Sequence, residues 1–241
     1  MKGLDVSNFT GNIGTSKATE LKAAGFDFAI VGAQIDAQGH SFTQNQIDDL
    51  RAGGLEVKGV YELLYWDDRD MQRMDHAMSF GLPVWVDCEW QALLSPADTA
   101  ARIKAAVDHL GSYLAGIYTG RWWWVPSTGD SQAFRDLPLW HAEYRPDPFA
   151  SFTHYGGWGE PTIWQYSDQG ILGLNCDLNQ MEDMAVAPPT QSELDERRAK
   201  AELDIALLFK YRAQWVGTDH VRLVNNDGSA LVPPVLIDVS R

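Results

Sequence analysis

Short apolar runs that end in polar residues recur along the chain as far as Met181, and helix-like stretches separate the early ones. Strands that alternate with helices in this way favour a parallel sheet. The runs predict strands at Gly3–Ser7, Phe26–Ala33, Leu55–Leu64, Pro83–Asp87, Ala115–Thr119, Leu137–Glu143, Thr162–Tyr166 and Leu174–Leu178. The periodicity predicts helices at Ser16–Ala24, Thr43–Ala52, Asp67–Phe80 and Ser95–Leu110, the last with Ser95 as N-cap and Pro96 at its first position.

The predicted fold class is α/β, an irregular (β/α) TIM-like barrel with eight strands and fewer helices. A regular barrel of this kind takes about 250 residues, more than this set of strands occupies. The stretches between the late strands, such as Arg145–Glu160, are too short or too rich in Gly and Pro for full helices. We therefore expect residues 1–187 to form a barrel with a regular front half and an irregular back half.

Residues 188–241 are predicted to form a separate appendage. It begins at Pro188 and Pro189, which prevent a helix from continuing out of the barrel into it. An amphipathic helix is expected at 192–216, where apolar side chains recur at three- and four-residue spacing. This helix either packs on the barrel or mediates self-association, and both alternatives stay open. A hairpin is expected at 221–239, with two prolines confining its second strand to a sheet edge.

The charge balance excludes several classes of partner. The chain has 19 Lys and Arg against 33 Asp and Glu, a formal net charge of −14. Nucleic acids and anionic membrane surfaces both need clustered basic residues, so neither partner is expected. The ten Trp, eight Tyr and nine Phe supply flat rings that can cover sugar faces, so acids and aromatics together favour a carbohydrate substrate.

The remaining chemistry of the sequence predicts neither a cofactor nor a metal. The six His are scattered, and Cys88 and Cys176 have no spacing typical of zinc ligands. Both cysteines are expected to point away from the barrel interior, on opposite sides, so no disulfide is predicted. No apolar run reaches the length of about 18 residues that a membrane span needs, and no signal peptide is recognised.

Four carboxylates are predicted to meet at the barrel mouth, where the C-terminal ends of barrel strands carry active sites. They are Asp5, Asp87, Glu89 and Asp177, with Glu62 and Glu143 as second-rank members. Asp87 and Glu89 are two residues apart and project to the same face of an extended segment. Clustered acids raise the pKa of at least one member, as a general acid in glycoside hydrolysis requires. The alternative is that these side chains cap helices, form turns or are solvated.

Aromatic residues near the predicted strand ends are candidates for the wall of a sugar-binding groove. The run Trp122–Trp124 cannot face one side of a helix or strand, so at least one ring should reach solvent or the groove, and core filling is the alternative. The predicted substrate-binding residues are Tyr61, Glu62, Trp66, Trp90, Tyr118, Trp123, Glu143 and Tyr166. Trp140 is also a candidate, although a Trp on a strand is more often part of the core.

The order of motifs resembles glycoside hydrolase family 25, the Chalaropsis-type lysozymes, which include many phage endolysins. The segments that carry this resemblance are GLDVSN at the start, the D-x-E strand LPVWVDCEW, and the WQY and DLN motifs near Met181. The resemblance implies a β-1,4-N-acetylmuramidase on an irregular (β/α) barrel. It implies that Glu89 is the general acid/base, that Asp87 orients substrate or stabilises developing charge, and that Asp5 and Asp177 complete the site. It also implies retention of configuration, through either an enzyme nucleophile or the 2-acetamido group of the substrate.

Three segments depart from the family pattern. The stretch GAQID at Gly32–Asp36 lacks the usual Lys and Glu, Glu62 follows the aromatic Tyr61, and Glu143 stands where a neutral amide is common. Because the four core acids are present, these departures are expected to affect glycan preference more than hydrolysis.

The predicted function is therefore cleavage of bacterial peptidoglycan, with a phage endolysin as the expected setting. Such a protein would act from the host cytoplasm on the cell wall after holin-dependent release, or as part of the virion. One alternative is a non-catalytic or weakly active glycan-binding virion protein on the same barrel, which the GAQID departure and the possible self-association helix motivate. A third hypothesis is a hydrolase for a different glycan.

Overall fold

The chain divides into two units, Met1–Glu182 and Asp183–Arg241, which are described separately. A computed structural model describes residues 1–34, 41–145 and 152–181 of the first unit. In the second unit it describes the strands Arg212–Val216, His220–Val224 and Ala230–Asp238.

The first unit is a closed eight-stranded barrel in which the strands follow one another in sequence order. Neighbours from β1 to β7 are parallel, and β8 runs antiparallel to both β7 and β1. The predicted irregular α/β barrel is confirmed. The strands are β1 Lys2–Val6, β2 Phe28–Gly32, β3 Glu56–Leu63, β4 Val84–Asp87, β5 Leu114–Thr119, β6 Leu139–Ala142, β7 Ile163–Ser167 and β8 Asp177–Met181.

The reversal of β8 follows from the short connection before it. Residues 168–176 join β7 to β8, whereas a parallel crossover needs a dozen residues or more. A hairpin is the only connection this length allows, and the bridge between Ile171 and Leu174 forms its turn. The prediction of this strand at Leu174–Leu178 was shifted, because it counted the apolar turn residues as strand.

Helices connect the early strands, largely as predicted, and a fifth helix was missed. Ser95 Oγ accepts the Asp98 backbone N–H at 3.2 Å, which confirms it as an N-cap. The missed helix was not predicted because it contains Pro126, a residue that rarely lies inside helices. The helices are α1 Thr15–Ala23, α2 Thr43–Ala52, α3 Asp70–Met78, α4 Pro96–Leu110 and α5 Arg121–Thr128.

The core has two layers, as expected for a barrel with an outer ring of helices. Strand residues that point outward pack against the helices, and both Cys88 and Cys176 lie in this outer layer, buried and unbonded as predicted. The barrel interior is filled mainly by aromatic rings. Its buried members are Phe28, Ile30, Tyr61, Trp85, Tyr118, Trp140, Ala142 and Ile163.

The described part of the second unit is a three-stranded antiparallel sheet with β10 in the centre: β9 Arg212–Val216, β10 His220–Val224 and β11 Ala230–Asp238. The prediction of a helix at 192–216 is wrong for its last five residues, which form β9 because they pair with β10. The rest of that predicted helix lies outside the described residues. The strand β11 lies at the sheet edge, and its register with β10 shifts between the Leu223–Val235 and Val224–Ala230 pairs, so Pro233 and Pro234 fall in this irregularity.

In the part of the chain that the structure describes, no helix combines the length and apolar character needed to cross a membrane.

Gly3 on β1 tests the packing of the barrel interior. A Cβ at this position would overlap the ring of Phe28 on β2, so Gly3→Ala should lower the free energy of unfolding by about 1–3 kcal/mol through overpacking. Urea unfolding of both proteins measures the difference. Gly159→Ala is the control, since a Cβ there meets no atom within 4 Å. Equal losses in the two variants would contradict the packing argument.

Candidate active site

A small cavity of about 60 Å³ lies at the barrel mouth, and it collects the predicted acids. Its lining residues are Asp5, Tyr61, Asp87, Glu89, Tyr118, Trp140, Gln165 and Asp177. All four predicted catalytic candidates line this cavity, together with Tyr61 and Tyr118 from the predicted binding set. The cavity is therefore the candidate active site.

These carboxyls lie at or next to the C-terminal ends of parallel strands and at the N-terminal end of the antiparallel β8. Asp87 is the last residue of β4, and Glu89 follows two positions later on the same side of the chain. Asp177 was predicted at the end of a parallel strand, but it is the first residue of the antiparallel β8 and pairs directly with Asp5 of β1. Reversal of β8 thus brings its start, rather than its end, to the mouth.

Two amide side chains hold the carboxylate of Asp5. Gln165 Nε2 donates to Asp5 Oδ2 at 3.0 Å, and Asn179 Nδ2 donates to the same oxygen at 2.7 Å. Burial raises the pKa of Asp5 to about 6, although these two hydrogen bonds oppose the rise by favouring the ionised form. The nearby negative charge of Glu89 adds to the rise.

Burial and mutual repulsion also raise the pKa of the other three acids. Burial, with help from the charges of Asp5 and Asp168, raises the pKa of Asp177 to about 7. The pKa of Glu89 is raised by burial and by Asp177, and that of Asp87 is raised far more because this side chain is almost completely buried beside Glu89. Asp87 Oδ1 has no hydrogen-bond partner within the described residues.

Three members of the site are uncharged, and two of them, Gln165 and Asn179, were not predicted as functional, whereas Trp140 was a candidate. Gln165 and Asn179 are buried polar residues in the WQY and DLN motifs, and their presence on inward-facing strand positions was the available signal. Trp140 forms the floor, with its ring edge-on to those of Tyr61 and Tyr118 at centroid distances of 5.9 and 4.6 Å. Its burial agrees with core packing, yet it also lines the cavity.

The predicted aromatic wall divides into exposed and supporting rings. Trp90 is 53% exposed, and its backbone oxygen accepts indole N–H groups from Trp66 at 3.0 Å and Trp123 at 2.8 Å. Those two indoles stack on each other at 5.5 Å. Trp123 is only 4% exposed, so the prediction that it contacts substrate does not fit its position. Its neighbour Trp122 is 62% exposed and is the member of the run that reaches solvent.

Two tyrosines near the ends of late strands, Tyr166 inside β7 and Tyr144 after β6, differ from expectation. Tyr166 is not among the cavity-lining residues, because Gln165 faces the cavity and neighbouring strand residues alternate between faces. Tyr144, which was not predicted, is 55% exposed, and its hydroxyl has a raised pKa because of partial burial and the charges of Asp177, Asp168, Glu89 and Asp5. The Tyr144 hydroxyl therefore lies within electrostatic range of the acids that line the cavity.

The two second-rank acids lie outside the cavity. Glu143 pairs with Arg145 at 2.6 Å and approaches His141 at 3.4 Å, because His141 and Glu143 share the outward face of their segment. Glu62 is buried, interacts electrostatically with Arg73 and Asp70 of α3, and accepts the Leu63 backbone N–H at 3.2 Å. Burial raises its pKa to about 8.

Metal chemistry was not expected from the sequence. Across residues 1–34, 41–145 and 152–181 and the three C-terminal strands, no group of three or more His, Cys, Asp or Glu is arranged to hold a metal ion.

Glu62 gives a prediction about stability and pH. A carboxyl whose pKa rises on folding, here from 4.5 to about 8, binds its proton more tightly in the folded state, so stability falls as pH rises between these values. Glu62→Gln keeps an oxygen for the Leu63 N–H without the charge. It should raise the free energy of unfolding by about 1–3 kcal/mol at pH 8 and by less than about 0.5 kcal/mol at pH 4.5.

Urea unfolding at both pH values makes this measurement. Glu56→Gln, at the exposed start of the same strand, is the matched control for the loss of one negative charge. A Glu62→Gln effect of the same size at pH 4.5 and pH 8 would contradict the assignment of a buried, proton-binding carboxyl.

Comparison with known proteins assigns a family. The family model of glycosyl hydrolases family 25 matches residues 4–173. A probable GH family 25 lysozyme 2 of Dictyostelium discoideum is 30% identical over 199 residues, which cover 74% of this chain and 90% of that protein.

Solved structures share the fold. A muramidase from Acremonium alcalophilum has a TM-score of 0.63 at 23% identity, covering 75% of this chain and 93% of its own. The catalytic domain of endolysin ply40 from bacteriophage P40 of Listeria monocytogenes has a TM-score of 0.58 at 18% identity, with 76% and 93% covered. With the family model spanning most of the barrel, the chain belongs to glycosyl hydrolases family 25 and is a glycoside hydrolase.

Proposed function

We propose that the chain is a muramidase that hydrolyses bacterial peptidoglycan at the β-1,4 bond between N-acetylmuramic acid and N-acetylglucosamine. The observation that carries this proposal is the convergence of Asp5, Asp87, Glu89 and Asp177 on one cavity at the barrel mouth. The lysozyme relative from Dictyostelium supports the choice of substrate, since its match covers most of both chains.

Glu89 is the proposed general acid/base. It is the less buried member of the Asp87–Glu89 pair, so it can reach the glycosidic oxygen, and its raised pKa favours the protonated form that an acid needs. In the retaining mechanism that the family resemblance implies, Glu89 gives its proton to the leaving oxygen as the bond between that oxygen and the anomeric carbon breaks. The anomeric carbon forms a new bond to an oxygen of either an enzyme carboxylate or the substrate's own 2-acetamido group. In the second half of the reaction, Glu89 takes a proton from the water that attacks the anomeric carbon and displaces that oxygen.

The remaining acids surround the positive charge that develops at the anomeric carbon. Asp5 and Asp177 face each other across the β1–β8 pair, and Asp5 has two amide donors that favour its ionised form. Asp87 Oδ1, buried and without a partner in the described residues, is placed to accept a hydrogen bond from a sugar amide or hydroxyl group. The proposal thus gives Asp87 an orienting role and Asp5 and Asp177 an electrostatic one.

Exposed aromatic rings are proposed to bind the sugar chain on either side of the cleaved bond. Trp90 immediately follows Glu89, two indole N–H groups bind its backbone oxygen, and its exposed ring contacts that of Tyr65 at a centroid distance of 5.8 Å. Tyr144 is exposed within electrostatic reach of the same acids. Exposed aromatic rings in such positions can stack on sugar faces.

A phage endolysin is the setting that we propose for this activity, with release from the host cytoplasm to the cell wall. The fold is compatible with this setting, because an endolysin catalytic domain shares it. An acidic protein gains no electrostatic attraction to an anionic wall, so binding must rest on contacts within the groove.

Glu89→Gln tests the proposed function. The amide keeps the shape of the side chain but cannot donate a proton to the leaving oxygen, so the rate of peptidoglycan clearing should fall by at least about 10²-fold. Turbidity of cell-wall suspensions gives the rate, and product analysis should find new reducing ends at muramic acid with the wild-type protein alone.

Glu160→Gln is the control, since this acid is exposed and lies outside the cavity. Absence of clearing by the wild-type protein on every peptidoglycan tested would contradict the proposal and favour the alternative of a glycan-binding virion protein.

Self-association of the chain remains a proposal from the sequence pattern at 192–216, of which the part at 212–216 is a strand. If the second unit mediates it, light scattering after size exclusion should give a multiple of 26.9 kDa at micromolar concentration. A constant mass of 26.9 kDa across a hundredfold range of concentration would contradict self-association.

A further inference from the structure

A continuous series of side-chain hydrogen bonds connects the floor of the cavity to Glu89. Trp140 Nε1 lies 2.7 Å from Asn179 Oδ1, and Asn179 Nδ2 lies 2.7 Å from Asp5 Oδ2. Gln165 Nε2 lies 3.0 Å from the same Asp5 oxygen. The series continues from Gln165 Oε1 to the Tyr118 hydroxyl at 2.9 Å, and from that hydroxyl to Glu89 Oε2 at 3.2 Å.

The first group in this series fixes the direction of the next two hydrogen bonds. An indole N–H can only donate, so the Asn179 atom facing Trp140 must be the carbonyl oxygen. The amide nitrogen of Asn179 therefore faces Asp5 Oδ2 and donates to it. Asp5 Oδ2 is consequently an acceptor, which agrees with its role as a carboxylate.

The same reasoning orients the amide of Gln165. Its group facing Asp5 Oδ2 must be a donor, so it is Nε2, which also donates to Asp177 Oδ2 at 3.1 Å. Both amide protons are then used by carboxylates. The carbonyl oxygen of Gln165 is left facing Tyr118, and it can only accept.

Tyr118 has a single hydroxyl proton, and two oxygens compete for it. Gln165 Oε1 can only accept and lies 2.9 Å from the hydroxyl, whereas Glu89 Oε2, at 3.2 Å, accepts when ionised and donates when protonated. Both contacts are hydrogen bonds at the same time only when the Tyr118 proton goes to Gln165. The phenolic oxygen then presents lone pairs to Glu89 Oε2. An ionised Glu89 would place two unshared lone pairs against each other at 3.2 Å, whereas a protonated Glu89 donates a hydrogen bond.

We propose that Asn179, Gln165 and Tyr118 are positioning residues that keep a proton on Glu89 Oε2 while Asp5 stays ionised. The assignment of Glu89 as the acid rests on the proposed function. The directions of the hydrogen bonds are argued from the donor and acceptor atoms alone and do not depend on that function. The series thus connects an ionised Asp5 on one side of the cavity to a protonated Glu89 on the other side. A glycosidase needs one protonated and one ionised carboxyl in the same site.

Other charged and titratable groups also act on Glu89. Burial raises the pKa of Glu89 and Asp177 adds to the rise, whereas a hydrogen bond donated by Tyr118 lowers it, so the direction of the Tyr118 hydrogen bond decides the sign of its effect. A test of the series must therefore remove one of its hydrogen bonds without adding or removing a charged side chain. The titratable groups around Glu89 are Asp5 from β1, Tyr61 from β3, Asp87 from β4, Tyr118 from β5, Tyr144 after β6 and Asp177 from β8.

Tyr118→Phe gives a test in which the direction of the change in the Glu89 pKa distinguishes the two hydrogen-bond arrangements. If Tyr118 accepts from Glu89, loss of the hydroxyl removes a partner of the protonated form, and Glu89 titrates at lower pH. If Tyr118 instead donates to an ionised Glu89, the same change moves the titration to higher pH. We expect the first result, with a three- to tenfold drop, roughly, in the ratio of protonated to ionised Glu89 at the wild-type midpoint.

The titration is read directly by NMR with glutamate labelled at the side-chain carboxyl carbon, and the signal is assigned with Glu89→Gln. This measurement needs no turnover, so it separates the two proposals. A shift to lower pH without any peptidoglycan clearing would support the series and contradict the muramidase assignment. A shift to higher pH, or none, would overturn the series whatever the activity.

Gln165→Met is the second variant, because it removes the acceptor for the Tyr118 proton without adding charge. Tyr118 is then free to donate to Glu89, and the Glu89 titration should again move to lower pH. If the full chain clears peptidoglycan, the alkaline limb of its pH–rate profile should move to lower pH in both variants. Tyr113→Phe, at a half-exposed position before β5, is the control for the loss of a tyrosine hydroxyl.

An unchanged Glu89 titration in Gln165→Met would also overturn the series. Near-ultraviolet circular dichroism and urea unfolding establish that each variant is folded before it is titrated. If Gln165→Met fails to fold, the sign of the Tyr118→Phe shift decides alone.

Discussion

The antiparallel course of β8 is the constraint on which the candidate site depends. A connection as short as residues 168–176 cannot carry a crossover helix, so the chain must return through a hairpin, and the eighth strand enters the barrel from the mouth. That direction puts Asp177 opposite Asp5, and it puts Asn179 two residues further along on the same face. A parallel eighth strand would bring its other end to the mouth, and neither contact with Asp5 would form.

The convergence of carboxyls has a cost that the uncharged residues of the site reduce. Burial and repulsion raise the pKa of each acid in the cavity, so ionising them opposes folding. Gln165 and Asn179 offset part of this cost at Asp5, where their N–H groups favour the ionised form. No such donor within the described residues reaches Asp87 Oδ1. The cavity thus contains one carboxylate that the protein stabilises beside another that it leaves for a ligand.

Much of the fold could be predicted from the chain, because strand–helix alternation and cap residues are local signals. The eight strands, four of the helices and the Ser95 cap follow from such signals. The helix that contains Pro126 and the strand Arg212–Val216 could not be predicted this way, since tertiary packing and strand pairing override their local preferences.

In the candidate site, the four acids were found because they lie at or next to strand ends. Gln165 and Asn179 were missed because a neutral amide shows its role only through its partners. Trp123 and Glu143 were misplaced because an apolar or acidic residue near a strand end does not reveal which face it occupies.

The formal charge of −14 also changes meaning once the structure is known. It counts every acid as ionised, but folding holds Glu62 largely protonated at pH 7 and brings Asp177 to the midpoint of its titration. The cavity is therefore less negative than its composition indicates. A sugar that enters it meets the Trp140 floor and the side chains of Asp87 and Glu89, both with raised pKa values, rather than a uniform field of carboxylates. Asp5, with a pKa of about 6 and two amide N–H groups in place to hold its carboxylate, keeps a negative charge where a developing positive charge would be stabilised.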